Sequence, residues 1–290
     1  MSDEIIFEIG QTYRNRIGWY RVLEKNRNTM QVRYERDGRE QTLTIDDQAR
    51  ILMNISREEK DILPIAENRE RFFFWIDKCN EQYRFGHDLS FYKDIIHMHR
   101  KSNELDSLLN DKAFYPKVRS TLQKWNMDQR GAKLVPLDTL KESILAHRLG
   151  LIELYQYKLS SISEDQINHE IKELLEEVFY GLQVMESKRK IVGASKALHF
   201  LLPDLVMPID GTYTMPFFYG NNRYLKTIEL EFATFMELFK KANRIVNRLD
   251  LTQNDVDNEG WNTSVPKLID NAIIGFYKYL EKDLQKTEAC

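Results

Sequence analysis

The residue best suited to chemistry in this sequence is an aspartate that follows a proline-restricted apolar stretch. The run 207–209 leads directly into Asp210 and Gly211, and Tyr213 comes close behind. An apolar setting disfavours the charged form of a carboxylate and raises its basicity, as a general base or an electrostatic stabiliser requires. Aspartate is also a common helix N-cap, so capping a helix at Thr212 and acting as a functional group both fit this residue.

Upstream of that aspartate, small residues and a local excess of positive charge indicate an anion site. The segment 187–226 holds six Lys or Arg against two Asp, inside a chain whose net charge is -3. Small residues at the start of a helix predicted over 194–202 leave backbone N–H groups open to a phosphate, although a turn requirement also explains a glycine there. The predicted phosphate-binding residues are Lys190, Gly193, Ala194, Ser195 and Lys196.

The run from Ile191 to Asp210 resembles the helix-hairpin-helix DNA glycosylase superfamily. In that family a hairpin glycine motif binds a DNA phosphate, and an aspartate after a short apolar-proline stretch assists departure of the base. It does so by stabilising the cationic sugar or by activating a nucleophile. The resemblance covers about 20 to 35 of the 290 residues. It implies that Asp210 is catalytic, with Lys196 as the second catalytic candidate.

Several positions depart from the family pattern. Ile191 stands in the place of the first hairpin glycine, and Ser195 stands where lyase-competent members keep a lysine, so that Lys196 is displaced by one. The interval to Asp210 is also about one helical turn shorter than in the family. These differences favour a monofunctional glycosylase of a divergent prokaryotic branch, or a non-catalytic relative. Some prokaryotic members remove modified bases from phage DNA, which implies a role in anti-phage defence.

A glycosylase must take its target base out of the stack and hold it against aromatic side chains. Most aromatics at helical spacing belong to a core, so only a few are expected at a pocket. The loops 84–88 and 129–133 carry ionisable groups and either line the substrate cleft or are simply solvated. The predicted base-pocket residues are Trp75, Tyr83, Phe85, His87 and Tyr213.

Composition excludes several classes of protein. Cys79 and Cys290 are the only cysteines, which rules out a four-cysteine zinc site and a cysteine-ligated iron–sulfur cluster. We predict no metal and no cofactor, and expect DNA carrying modified bases as the partner. No apolar run approaches the roughly 20 residues that span a bilayer, so no membrane partner is expected. Asp3 and Glu4 stand where a secretory signal needs a basic start, which favours the cytoplasm. The oligomeric state stays open.

Two types of periodicity divide the chain. Residues 7–55 alternate at period two around a turn at Asp37-Gly38, which predicts a small β-barrel of the SH3 or Tudor type in a domain 1–58. Residues 59–290 show helical spacing almost throughout and predict one α-helical domain. The fold class is therefore mainly α, with a helix-hairpin-helix-type domain behind the barrel. An alternative function follows: a non-catalytic module that binds nucleic acid or protein through the barrel.

The helical pattern gives predicted boundaries and one cap. Ser163 and Gln166 have the spacing of a capping box. The predicted helices cover residues 67–84, 89–109, 112–126, 137–159, 164–186, 194–202, 227–249 and 264–284.

Overall fold

The computed structural model describes residues 6–15, 17–58, 60–83, 86–102, 104–129, 133–187, 189–221 and 225–288. The protein is mainly helical, with a small antiparallel sheet near its N-terminus, so the mainly α class is confirmed. The chain divides into two compact units, Met1–Leu63 and Pro64–Cys290, here called the N-terminal and the C-terminal unit. Among the described residues, no helix combines the length and the apolar character needed to cross a bilayer.

The N-terminal unit is a four-stranded meander followed by a helix. Neighbouring strands pair antiparallel in the order β1-β2-β3-β4. Alternate side chains of β2 and β3 are buried, which is the period-two pattern of a sheet with one covered face. The elements are β1 (Thr12–Arg14), β2 (Trp19–Lys25), β3 (Thr29–Tyr34), β4 (Glu40–Thr44) and α1 (Ile45–Glu58). The buried residues are Phe7, Tyr20, Val22, Met30, Val32, Tyr34 and Leu43.

The turn between β3 and β4 lies where the sequence predicts it. Gly38 has a φ of 69°, a left-handed conformation that costs glycine little. Its N–H donates to the Tyr34 carbonyl at 2.9 Å, and the Arg39 N–H donates to Asp37 Oδ1 at 3.0 Å. The aspartate side chain and the glycine backbone together close the hairpin.

The C-terminal unit is built from helices. They are α2 (Leu63–Ala66), which straddles the unit boundary, α3 (Arg69–Tyr83), α4 (His87–Ser102), α5 (Leu105–Asn110), α6 (Phe114–Lys124), α7 (Leu137–Ala146), α8 (Arg148–Leu154), α9 (Glu164–Gln166), α10 (Lys172–Gly181), α11 (Ile191–Leu201), α12 (Thr214–Tyr219), α13 (Ile228–Leu249) and α14 (Val265–Glu288). A π-helical turn, Ile167–Ile171, joins α9 to α10.

Most predicted helices are present, and the differences lie at breaks and ends. The capping box is confirmed, because Ser163 Oγ accepts from the Gln166 N–H and the Gln166 side chain accepts from the Ser163 N–H. The helix predicted over 137–159 is divided at His147, and the one over 89–109 is two helices, α4 and α5. The helix predicted to begin at residue 194 begins at Ile191, which places its small residues inside it.

Close contact between α3 and α14 depends on a glycine. A Cβ built on Gly275 would lie 1.9 Å from the Trp75 carbonyl oxygen and 3.0 Å from the Cys79 nitrogen. No real side chain tolerates such contact with backbone atoms, so only glycine permits this helix spacing. Gly275 therefore permits α3 to lie close to α14, the helix that also carries Lys267 and Asp270.

The Gly275→Ala variant should be destabilised by about 3 kcal/mol, because the two helices must move apart to accept the methyl group. The free energy of unfolding is measured by urea denaturation with far-UV circular dichroism. Gly150→Ala is the matched control, since its Cβ would meet Val178 at an ordinary 3.6 Å. That variant should gain up to about 1 kcal/mol from helix propensity. Equal stability of the two variants would contradict the packing argument.

Candidate functional site

A cavity of about 570 Å³ opens in the C-terminal unit. Its wall brings together residues from distant parts of the chain, among them two lysines, three aspartates and several aromatic rings. The side chains that line it include Tyr83, Asp88, Trp125, Gln129, Lys196, Asp210, Tyr213, Trp261, Lys267 and Asp270. Asp210 and Lys196, the predicted catalytic residues, therefore share one cavity wall.

Asp210 is held by an ion pair and by backbone groups. Its Oδ2 lies 3.2 Å from Lys196 Nζ, and its Oδ1 accepts the N–H groups of Thr212 at 2.6 Å and Tyr213 at 3.2 Å. Its side chain is 28% exposed, against 7% for Lys196. The carboxylate thus closes the turn before α12 and lines the cavity. It is not the predicted helix N-cap, because α12 begins at Thr214 with Tyr213 as its N-cap residue.

The surroundings keep Asp210 ionised. Burial by itself raises the pKa of the carboxyl group, but the charge of Lys196 and the N–H groups of Thr212 and Tyr213 outweigh it. The pKa of Asp210 consequently lies below its ordinary value of 3.8. The sequence-based expectation of raised basicity is wrong in direction, because the sequence pattern did not reveal the cationic partner. An ionised carboxylate at a cavity wall can stabilise a developing positive charge.

Polar side chains of α11 position the extended segment that ends at Asp210. Ser195 Oγ accepts the Ile209 N–H at 3.0 Å and lies 3.1 Å from the Val192 carbonyl oxygen, to which it donates. His199 Nδ1 lies 2.7 Å from the Val206 carbonyl oxygen. Since a carbonyl only accepts, Nδ1 carries the proton, and Nε2 accepts from the Tyr92 hydroxyl at 2.7 Å. These bonds hold residues 206–209 beside α11.

The predicted phosphate site at the start of α11 is wrong. Glu231 Oε2 accepts the N–H groups of Lys190 at 2.6 Å and Ile191 at 2.7 Å, so a carboxylate of this chain already occupies the positive end of the helix. Gly193, Ala194 and Ser195 are buried inside the helix. A Cβ on Gly193 would lie 2.7 Å from Met185 Cγ, which shows that the small residue serves packing.

The two predicted DNA-binding lysines are also engaged within the chain. Lys190 Nζ donates to the carbonyl oxygens of Tyr180 at 2.6 Å and Leu182 at 3.0 Å, at the end of α10. Burial lowers its pKa, and the neighbouring Glu231 opposes this only in part. Lys196 is buried in the cavity wall beside Asp210. The positive charges of Lys190 and Lys196 are therefore engaged by contacts within the chain.

Of the predicted base-pocket residues, two line the cavity and one does not. Tyr83 and Tyr213 line the cavity, and their hydroxyl oxygens are 3.2 Å apart. Trp75 does not line it: the ring is 5% exposed and packs against Phe276 and Tyr279, so its assignment to the pocket is wrong. Phe85 and the side chain of His87 lie outside the described residues.

Both loops with ionisable groups contribute one described residue to the cavity. Asp88, in the first turn of α4, and Gln129 line its wall. The other described aromatic rings of the cavity are Trp125 and Trp261, whose centroids are 6.1 Å apart. Trp125 comes from the end of α6, and Trp261 precedes α14, so sequence distance hid their proximity.

Sequence reasoning missed a second ion pair in the same cavity. Lys267 Nζ and Asp270 Oδ2 are 2.5 Å apart, with side chains only 4% and 6% exposed. Burial raises the pKa of Asp270, and the Lys267 charge opposes this only in part. A signal was present, since both residues lie in the first turns of a helix whose neighbouring positions are apolar. Charges at buried positions of a helix deserve a search for partners.

No family model, curated protein or solved structure matches this chain.

Two buried histidines should make folding sensitive to acid. Burial lowers the pKa of His199 to about 3 and that of His99 to about 4, whereas the ordinary value is 6.5. Below pH 6.5 the unfolded chain binds protons that the folded chain does not. The free energy of unfolding should therefore decrease as the pH is lowered below 6.5, by up to about 1.4 kcal/mol per pH unit for each histidine.

The His199→Gln variant measures how much of this pH dependence comes from His199. At pH 7 the variant should lose about 2 kcal/mol, because buried hydrogen bonds to Val206 and Tyr92 are weakened. The difference from the unaltered chain should shrink as the pH falls towards 5 in urea titrations. A difference that stays constant with pH would contradict a neutral, buried His199. His169→Gln, at an imidazole 73% exposed, serves as control and should change stability by less than about 0.5 kcal/mol.

Proposed function

We propose that this protein is a DNA glycosylase that cleaves the bond between a modified base and its deoxyribose, with Asp210 assisting the cleavage. The observation that carries the proposal is the ionised Asp210 carboxylate at the wall of a cavity rich in aromatic rings. The base would occupy the cavity after it leaves the stack, and the sugar would lie towards its mouth.

The volume and lining of the cavity suit such a ligand. About 570 Å³ is sufficient for a flat heterocycle with its sugar, and the rings of Tyr83, Trp125, Tyr213 and Trp261 offer stacking surfaces. Stacking of a base on an aromatic side chain contributes about 1–3 kcal/mol, which offsets the cost of unstacking. Polar groups between the rings would fix the orientation of the base.

The proposed chemistry needs a carboxylate that stays charged. As the bond from C1′ of the sugar to the base nitrogen breaks, its electron pair leaves with the base and positive charge develops on the sugar. The Asp210 carboxylate stabilises that charge through space. A water molecule then adds to C1′, and its proton passes to Asp210 or to solvent. The departing base takes up a proton, so the products are the free base and an abasic site.

The finer fold assignments belong to the same proposal. We propose that α10, α11 and the connection between them correspond to the helix-hairpin-helix element of the glycosylase superfamily, and that the N-terminal sheet is an SH3-like barrel. The start of α11 does not contact a DNA phosphate in this proposal, because Glu231 accepts hydrogen bonds from the first N–H groups there. The anti-phage role makes phage DNA with modified bases the first substrate to try.

The alternative of a binding module in the N-terminal unit has weaker support. Arg21 and Arg33, whose side chains are more than half exposed, each pair with a glutamate, Glu35 and Glu40 respectively. Such pairs reduce the positive potential that a phosphate backbone would need.

Asp210→Asn should lower the rate of base release by roughly 100-fold or more, because the amide cannot stabilise positive charge. The assay incubates the full chain with duplex and single-stranded DNA carrying a panel of modified bases, then detects abasic sites by alkali cleavage. Asp204→Asn is the matched control: Asp204 lies in the turn between α11 and the segment 206–210, and it lines a different cavity. Addition of a chelator should leave the activity intact.

Full activity of Asp210→Asn, with the Asp204→Asn variant equally active, would refute the proposed role of Asp210. Absence of abasic sites with every substrate and the unaltered chain would count against the glycosylase function itself.

We also expect no covalent complex when borohydride is added during the reaction. A Schiff base needs a neutral amine, whereas Lys196 donates to the Asp210 carboxylate as an ammonium group. The measurement is the mobility of labelled DNA on a denaturing gel. A trapped complex that disappears in Lys196→Met would contradict the monofunctional mechanism and assign a nucleophilic role to Lys196.

A further inference from the structure

The ion pair of Lys267 and Asp270 lies in the cavity but has no part in the chemistry proposed for Asp210. Both members are more than nine-tenths buried, and Lys267 Nζ lies 5.0 Å from the ring centroid of Trp261 and 5.6 Å from that of Trp125. A buried ion pair contributes little net stability, since apolar residues of similar volume often fold as well or better. Its position at a cavity wall therefore points to a ligand.

A rigid amide network holds the pair in one orientation. Lys267 Nζ donates to Asn271 Oδ1 at 2.7 Å, and Asn271 Nδ2 donates to Asn262 Oδ1 at 3.1 Å. Asn80 Nδ2 donates to the same oxygen at 3.0 Å. The network links α3 with α14 and the segment before it, so the ammonium and carboxylate groups are fixed before any ligand arrives. Such preorganisation lowers the cost of binding.

Each member of the pair keeps hydrogen-bonding capacity for a ligand. An ammonium group has three N–H donors, and the described residues accept two of them, at Asp270 Oδ2 and Asn271 Oδ1. Asp270 Oδ2 accepts from Lys267, and within the described chain no donor is bonded to Asp270 Oδ1. The wall thus offers one donor beside one acceptor, both from charged groups.

We infer that Lys267 and Asp270 bind the edge of an oxo-base, with Lys267 donating to a ring carbonyl oxygen and Asp270 accepting the adjacent ring N–H. This inference rests on the proposed function and names its substrate class: bases such as uracil or hypoxanthine derivatives, whose carbonyl and neighbouring N–H carry no alkyl group. A modification elsewhere on the ring is compatible with this contact. A base alkylated at that ring nitrogen is not.

The chemistry of departure favours a carbonyl over an amino group at Lys267. When the glycosidic bond breaks, its electron pair stays on the base, and in an oxo-base the negative charge spreads onto the carbonyl oxygen. An ammonium group hydrogen-bonded to that oxygen stabilises the leaving anion. Asp210 and Lys267 would then act on opposite sides of the breaking bond, the carboxylate on the sugar and the ammonium on the base.

Ligand-observed NMR with the full chain and free bases tests the inference without requiring catalysis. Uracil and hypoxanthine are supplied as parent bases whose glycosidic nitrogen, N1 or N9, carries a methyl group in place of the sugar. Each is compared with the corresponding N-methyl base, which carries a further methyl group at N3 of uracil or N1 of hypoxanthine. Each parent base should show saturation transfer, and each N-methyl base should bind at least about tenfold more weakly, because a hydrogen-bonding site rejects a ligand that leaves its acceptor unpaired. The affinity follows from titrating each base up to its solubility limit.

Variants then assign the effect to the pair. Asp270→Asn can still accept from Lys267 but can turn an N–H towards the base, so binding of uracil and hypoxanthine should fall at least about tenfold. Lys267→Met should weaken binding similarly. Lys241→Met is the matched control, since Lys241 is an equally buried lysine in α13 outside the cavity lining. Circular dichroism verifies that each variant is folded, and Asp270→Asn carries the test if Lys267→Met does not fold.

Equal binding of parent and N-methyl bases, binding of neither, or unchanged affinity in Asp270→Asn would overturn the inference. Base release from DNA is measured in parallel with the unaltered chain. Release of bases without discrimination between the probes leaves the glycosylase function standing and removes the assigned edge contact. If the chain discriminates between the probes but releases no base from DNA, the base-binding site is supported and the proposed cleavage is contradicted.

Discussion

The attachment of the segment 206–210 to α11 is the constraint on which the candidate site depends. Ser195 accepts the Ile209 N–H, and His199 donates to the Val206 carbonyl oxygen. Lys196, on the same helix, pairs with Asp210. A helix that buries three polar side chains within residues 195–199 must find a partner for each of them, since an unpaired buried polar group costs about 1–3 kcal/mol. The extended segment supplies those partners, and the position of the carboxylate follows.

Two of the three aspartates that line the cavity form ion pairs with its two lysines. Asp210 pairs with Lys196, and Asp270 pairs with Lys267, so two cations and two anions share one wall. The pairs differ in exposure, because Asp210 is 28% exposed and Asp270 only 6%. Their environments consequently move the two carboxyl pKa values in opposite directions, down for Asp210 and up for Asp270. Two carboxylates with such different surroundings are suited to different roles.

Positive charge in a sequence segment does not define a positive surface. Lys190 is bound to carbonyl oxygens at the end of α10, and the first N–H groups of α11 are bound to Glu231, a residue of α13. The hydrogen bonds that a phosphate would make are thus made within the chain.

Periodicity and turn chemistry in the sequence by themselves determined the mainly α class, the short N-terminal strands, the Asp37-Gly38 hairpin and the capping box at Ser163, because these features depend on neighbours a few residues apart. The local sequence around Asp210 also indicated this residue as a candidate for a functional role. Only the tertiary structure decided what those residues meet. Glu231 at the start of α11 and Trp261 beside Trp125 depend on contacts between distant segments. Lys267 and Asp270 are three residues apart on one helix, but their burial in the cavity wall also depends on such contacts. Side-chain pKa values and access to ligand follow from such contacts, and no local pattern encodes them.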